Sequence, residues 1–335
     1  MNRRHLLTAL AAAYGWRSGD RYAEGQPNAA PAVRGHQDVA NSAEAVVLGT
    51  AQDAGVPQIN CFSDNCTAVR TGQRVPPLVA CVGLIDHATR QSFVLDATPD
   101  IVTQVGALLT PTGEAPAGLG GGTAPLHDLL HGIFLTHAHI GHYTGLVHLG
   151  KEGAATRQLP VFASRRMCDF LSANAPWDTL VDGSFIDLRP LSPGRRVQIS
   201  PSLAVTPFEV VHRAEYTDTL GYRVHGPERT LMYVPDADVW DGWNTPFDEL
   251  LGASDVALID GSFWSRDELG HRAQANVPHP PVSQTLERLR GMPDLPEIRF
   301  IHLNHTNPLW DAESPLRRDL PPGFHVAETG QRLTL

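Results

Sequence analysis

The sequence predicts an α/β protein in which two mixed β-sheets pack face to face with helices outside. Three observations carry that prediction. Short apolar runs of strand length recur in two series, with helical patterns between them. No linker interrupts them between Glu44 and Leu335, so the series read as similar halves of one domain over 43–335. The densest chemistry, Ile133-Phe-Leu-Thr-His137-Ala-His139-Ile-Gly-His142, stands where one such run ends, as a site at a sheet edge would.

Each element has a local reason. Ala45–Thr50 is a short aliphatic run closed by Gly49-Thr50, and a polar loop carries the chain to Cys66. Val79–Ile85 and Ser92–Asp96 flank a turn at Asp86–Arg90, and Asp100–Leu109 reads as a helix with Asp100 near its start. Pro111–Pro125, containing Gly118-Leu-Gly-Gly-Gly122, reads as an exposed insertion. After the His-rich strand a helix is expected over about 144–152. The second series opens with the strand Leu159–Phe162 and the helix Ser164–Ala173. Strands follow at Leu203–Val211, Leu220–Val224, Thr230–Val234 and Val256–Ile259, then the helix Ser283–Arg290 and the strand Ile298–Leu303.

Composition narrows the function classes. At 335 residues the chain can bury a substantial core, and 42% hydrophobic with 19% charged residues is ordinary for a soluble fold. A net charge of −10 leaves no bulk basic footprint, which argues against nucleic acid and a tRNA-processing role and leaves a small molecule as substrate. Four cysteines are too few for a disulfide scaffold, and Cys81 and Cys168 read as core residues. Residues 1–42 stand apart. Arg3-Arg4 before the apolar run Leu6–Tyr14 reads as a twin-arginine export signal, implying a periplasmic or secreted protein. The run is far shorter than the roughly 18 residues of a membrane span, so no stable anchor is expected. Ser18–Ser42 has a linker's composition.

The histidines carry the chemistry. Residues i and i+2 of an extended segment share a side, so His137 and His139 can grip one ion, while His142 in the following turn addresses a neighbouring position. Neutral imidazole is the commonest protein ligand for divalent transition metals.

The segment resembles the H-x-H-x-D-H signature of the metallo-β-lactamase superfamily, with Gly141 where the family has Asp. The resemblance implies a four-layer αββα sandwich with metals at the sheet edge, and it supplies further ligands in chain order. His212 follows the strand ending at Val211 and matches a ligand beside His137 and His139. Asp236, closing Met232-Tyr-Val-Pro-Asp236, matches the bridging acid better than Asp238 does. His305 matches the final ligand histidine beyond the last inner strand, and His302, placed inside that strand, is expected to pack or hydrogen-bond there. The implied first site is His137, His139, His212 and Asp236, and the second His142, Asp236 and His305. Such donors suit one or two zinc ions, with iron and manganese tolerating the same set. Without an acid at 141 the second site has three ligands and should bind more weakly, so that one ion suffices or another acid fills in.

A narrower resemblance, to the pyrroloquinoline quinone biosynthesis protein B family, covers roughly Val46–Thr334. It rests on Leu48-Gly-Thr-Ala-Gln-Asp-Ala-Gly-Val-Pro-Gln-Ile-Asn-Cys61, Leu95-Asp-Ala-Thr-Pro-Asp100, Tyr233-Val-Pro-Asp236, Asp260-Gly-Ser-Phe263, Pro278-His-Pro-Pro281 and Ile301-His-Leu-Asn-His-Thr-Asn-Pro308. In that family the first two motif histidines are replaced, whereas both are present here. Three of its cysteines, in the loop matching Pro57–Cys66, hold a structural zinc; here Ser63 replaces the middle one. Cys61 and Cys66 alone rarely close a zinc site, so a disulfide or free thiols are equal readings.

Position suggests supporting residues. Asp96 and Asp260 end strands beside the metal loop and can take the outer N–H of a ligand histidine, and His279 in the Val277–Pro281 loop faces the substrate. The expected chemistry is metal-dependent hydrolysis of an ester, lactone, amide or phosphodiester, with Asp236 and His279 as the catalytic residues. An iron-dependent oxidase related to quinone cofactor formation is the second expectation, and a non-catalytic relative, prompted by Gly141, the third.

Overall fold

The computed structural model describes residues 42–110, 124–269 and 277–335. The expected export segment and the glycine-rich run of the 111–125 insertion lie outside the described residues.

Fourteen described strands alternate with helices. They are β1 (Ala43–Gly49), β2 (Cys81–Asp86), β3 (Gln91–Leu95), β4 (Gly132–Phe134), β5 (Leu159–Ser164), β6 (Ile186–Leu191), β7 (Val197–Gln198), β8 (Ala204–Val210), β9 (Thr219–His225), β10 (Thr230–Val234), β11 (Val256–Asp260), β12 (Glu297–Ile301), β13 (Phe324–Val326) and β14 (Arg332–Thr334). One sheet runs β14-β1-β2-β3-β4-β5-β6 and the other β13-β12-β11-β10-β9-β8-β7. Each is mixed: β3 to β6 and β10 to β13 pair in parallel, and the remaining pairs are antiparallel.

Strand periodicity builds the layers. Val47, Leu84, Phe93 and Leu95 of the first sheet meet Leu220, Tyr222, Leu231 and Leu258 of the second in the central core. Their alternates Val46, Leu48 and Val94 face α2 (Ile101–Leu109), which presents Ile101, Val105 and Leu108 at helical spacing. On the second sheet Met232, Val234, Ala257 and Ile259 pack against α6 (Phe247–Gly252) and α7 (Val282–Leu289). The result is the expected αββα sandwich.

Where the fold departs from expectation, the causes are local. Asp64–Arg70 is a helix, α1, rather than loop, because it buries Cys66 and Val69. The helix expected over 144–152 is a short α3 (Ile140–Tyr143) and a 3-10 run, Thr144–Leu149. There the Gly145 N–H bonds to Ala97 O at 2.9 Å instead of within a helix. The strands β6, β7, β13 and β14 were not expected: they are short or, like β6, carry proline and arginine. The remaining helices are α4 (Arg165–Ala173), α5 (Asp178–Asp182) and α8 (Pro315–Arg318).

Candidate metal centre

The strands β1, β3, β4, β8, β10, β11 and β12 finish at one edge of the sandwich, and the polar side chains beyond their ends converge there. His137 and His139 follow β4, His142 lies in α3, His212 follows β8, Asp236 follows β10 and His302 follows β12. The edge is closed by hydrogen bonds between the halves. Leu220 N donates to Thr136 O at 3.0 Å, and Tyr222 O–H donates to Leu135 O.

Three clusters of possible ligands share the Asp236 carboxylate. The first gathers His137, His139, His212 and Asp236, the second Asp53, His142, Asp236 and His302, and the third Asp236, Asp260, His279 and His302, in which His279 Nδ1 is already held by Asp260. In the first, His139 Nδ1 lies 2.9 Å from His137 Nε2 and 3.0 Å from His212 Nε2. Asp236 Oδ2 is 3.4 Å from His137 Nε2 and 3.2 Å from His212 Nε2, and about 4 Å away it meets the second cluster: 3.9 Å to His142 Nε2 and 4.0 Å to His302 Nε2.

The outer hydrogen bonds say what the inner atoms are. Thr136 Oγ1 donates to Asp96 and therefore accepts from His137 Nδ1 at 3.0 Å. His139 Nε2 donates to Glu215 at 3.1 Å, His212 Nδ1 to Asp238 at 2.8 Å and His142 Nδ1 to Asp96 at 2.8 Å. Ser262 Oγ donates to the His302 carbonyl and accepts from His302 Nδ1 at 2.9 Å. Each ring thus spends its N–H outward and turns a lone pair inward, the arrangement that orients metal-bound histidine. Lone pairs about 3 Å apart around a carboxylate repel one another unless a cation lies among them. His142 Nε2 and Asp236 Oδ1 are buried without a hydrogen-bond partner, as unfilled ligand atoms would be. The residues fit one or two divalent ions.

Electrostatics agree with a concentrated charge site. Burial and the neighbouring His142 drive His137 well below the usual imidazole range. Burial lowers His212 too, but the Asp236 and Asp238 carboxylates outweigh it and lift the ring to about 9, so its Nε2 favours a cation, a place that a proton or a metal ion would fill. At His142 burial is likewise outweighed, by Asp96 and Asp53. Burial would raise Asp236, yet His212, His279 and His302 hold it well below the usual carboxylate range.

Two site expectations need correction. His305 does not join His142; its Nδ1 lies 3.1 Å from Cys61 Sγ and 3.7 Å from Cys66 Sγ, in a separate cluster. His302 takes the place beside His142 instead. Strand β12 stops at Ile301, so His302 is the first residue beyond it, and its φ of 65° turns the ring off the strand alternation. The second cluster is also not a three-ligand set, because Asp53 brings a further carboxylate from the loop after β1. Sequence reasoning missed Asp53, although an unsupplied acid at 141 was itself a signal to look for one elsewhere.

Of the supporting residues Asp96 takes the outer role expected of it, whereas Asp260 holds His279 rather than an expected ligand histidine, and His279 is not among the residues lining the cleft. Asp96 bonds His142, and Asp260 accepts from His279 Nδ1 at 2.7 Å and from Ala237 N at 3.0 Å. His279 is buried at 3% exposure, and its Nε2 has no partner. Cys61 and Cys66 are free thiols. With His305 they form a Cys2His set, one ligand short of a closed structural zinc site. Beside the metal centre opens a cleft of about 610 Å³, walled by Asp53, His139, Tyr143, Phe170, Trp177 and Tyr216.

Residues 91–331 match the Beta-lactamase superfamily domain, and the chain belongs to that family. It is similar to Coenzyme PQQ synthesis protein B of Cupriavidus necator, 29% identical over 315 residues, 86% of this chain and 98% of that protein. The same protein of a Methylobacterium species is 28% identical over 317 residues, covering 87% and 100% of the two chains. Among solved structures, Zn2+-bound PqqB from Methylobacterium extorquens superposes with a TM-score of 0.70 at 22% identity, covering 87% of this chain and 100% of that one. A diphosphatase from the PhnP family gives 0.61 at 19% identity, with 88% and 97% covered.

Proposed function

We propose that the protein is a metal-dependent hydrolase of an ester or phosphodiester bond in a small molecule. The observation that carries the reading is the pair of inward-facing ligand clusters sharing Asp236, with one member of each, His139 and Asp53, lining an open cleft. His137, His139, His212 and Asp236 would hold one ion, and His142, Asp236 and His302 would contribute to a second. Divalent ions there would bring the pKa of bound water to about 7 and polarise the scissile group.

The chain's own residues supply the rest. Asp236 Oδ1, which has no hydrogen-bond partner, is placed to orient the attacking water. His279 is the proton donor to the leaving group. Its Nδ1–H is held by Asp260, and the Pro280-Pro281 pair restricts the backbone after it. Burial would lower its pKa, but Asp260 and Asp236 outweigh burial and raise it. The cleft volume suits a small molecule, and its aromatic wall suits an apolar or planar group. Likeness to a PhnP-family diphosphatase, which acts at a phosphate group, supports the phosphodiester within this pair.

The test is turnover of alkyl esters, aryl esters and phosphodiesters by zinc-stripped and zinc-reloaded protein. Hydrolysis by the reloaded protein alone is expected, and inactivity over the whole panel would reject the reading. His279→Gln should keep its zinc and lose roughly 10²–10⁴-fold in rate on alkoxide leaving groups, with a smaller loss on 4-nitrophenolate, which needs no proton.

Similarity to the curated PQQ synthesis proteins favours a second reading, iron-dependent oxidation linked to quinone formation. Iron in the protein as purified, with oxygen-dependent consumption of a phenolic substrate, would select it.

A further inference from the structure

We infer that Asp53 has taken over, from the loop after β1, the acidic ligand position that residue 141 has given up, and that Gly141 is glycine to make room for it. The inference rests on the metal-centre reading above.

Gly141 sits in α3 and is not among the glycines with positive φ, so backbone freedom does not explain it. Space does. A Cβ at 141 would lie 2.5 Å from Asp53 Oδ1, 2.6 Å from its Cα and 2.7 Å from its Cγ. The volume that a side chain at 141 would fill is already filled by Asp53, backbone included. The two positions are mutually exclusive.

The Asp53 carboxylate is placed as a ligand would be. Its Oδ1 is 3.1 Å from His142 Nε2 and 3.0 Å from His302 Nε2, the two nitrogens turned inward by Asp96 and Ser262. The backbone leading to it is fixed on both sides. Ala51 N and Thr50 N bond to Leu78 O at 2.9 and 2.8 Å, and Gln52 N bonds to Leu303 O at 3.0 Å. Leu303 N returns a bond to Thr50 O at 2.8 Å, so the loop carrying Asp53 is strung directly beside His302. Gly55, at φ 67°, then closes a turn back onto Gln52 O. The second position thereby regains two imidazoles and two carboxylates, a complete set of hard and borderline donors for a divalent ion.

The test is zinc stoichiometry and affinity in stripped full-length protein, measured by competition with a chromophoric chelator. Wild type is expected to take two equivalents. Asp53→Asn keeps the shape and removes the charge. It should retain the first equivalent and weaken the second by more than the roughly 10–100-fold that loss of an outer hydrogen-bond partner costs. Gly141→Asp alone should weaken the second equivalent, because two side chains compete for one space. Two tight equivalents in Asp53→Asn would overturn the inference and leave the metal centre standing. Wild type that binds a single equivalent also overturns it, and wild type that binds none removes the metal centre as well.

Discussion

Replacing Asp96 by Asn tests whether the lone pairs of the centre are set from outside. Asp96 is completely buried at φ 70°, and all four of its partners are donors. Thr136 N at 2.8 Å and Thr136 Oγ1 at 2.9 Å bond to its Oδ1, and His142 Nδ1 at 2.8 Å and Tyr233 O–H at 3.2 Å bond to its Oδ2. An asparagine offers one acceptor oxygen and one NH2. With the oxygen toward Thr136, the NH2 faces the His142 N–H, and the ring must move its proton to Nε2, directly into the second cluster. With the oxygen toward His142, the Thr136 backbone N–H is left facing a donor in the interior. Losing a hydrogen bond to a charged acceptor costs about 1.5–3 kcal/mol. Misorienting a ligand histidine costs roughly 10–100-fold in metal affinity, or about 1.4–2.7 kcal/mol. The stripped variant should therefore melt several degrees lower, and zinc competition should show a weakened second equivalent. The first equivalent should weaken less, since it feels Asp96 only through Thr136. A lowered melting temperature with both zinc affinities intact would refute the reasoning, because Asp96 would then support the fold without setting the His142 tautomer.

Two further predictions follow from other parts of the molecule. At Gly145 a Cβ would stand 2.0 Å from Thr98 O and 2.9 Å from Ala97 O, both backbone atoms that cannot swing aside. Gly145→Ala should lower stability by about 1–3 kcal/mol or more in urea unfolding, and an unchanged midpoint would contradict the close approach. His225, on β9, is driven down to about 4 by burial and by Arg196 and Arg223. Its folded pKa lies below the unfolded value of about 6.5, so the unfolded chain binds the extra proton and stability falls as pH drops from about 6.5 through about 4. His225→Gln should flatten that part of the unfolding profile in stripped and zinc-loaded protein alike; parallel wild-type and variant profiles would exclude the assignment.

Most of the architecture was legible because long strands advertise themselves. Buried runs such as Val256–Ile259 leave no other reading, and the ends of the β4, β8 and β10 runs place His137, His139, His212 and Asp236 at one edge, where the structure gathers them. Legibility failed where position depends on a single dihedral or on contacts distant in sequence. A one-residue shift in the end of β12, with His302 at φ 65°, puts His302 in the place expected for His305 and leaves His305 beside Cys61 and Cys66. Asp53 stands 89 positions before His142 with nothing periodic around it, and the contact between them appears only in three dimensions, together with the crowding at Gly141. The edge strands β6 and β13 escaped because partial exposure dilutes their apolar alternation.

The stitching between the loop after β1 and the exit from β12 has a consequence for anyone who would rebuild this protein. Beyond the Thr50–Leu303 ladder, Asn65 Nδ2 donates to His305 O at 3.0 Å and to Asn307 O at 3.1 Å, while Cys61 Sγ meets the His305 ring. Residues 50–66 and 302–307 are therefore one cassette in two pieces. Grafting the first piece alone into a related scaffold would import the Asp53 carboxylate without the anchor that aims it. Neither piece should accept a change of length, since an added residue in one slides its half of the clasp out of register with the other.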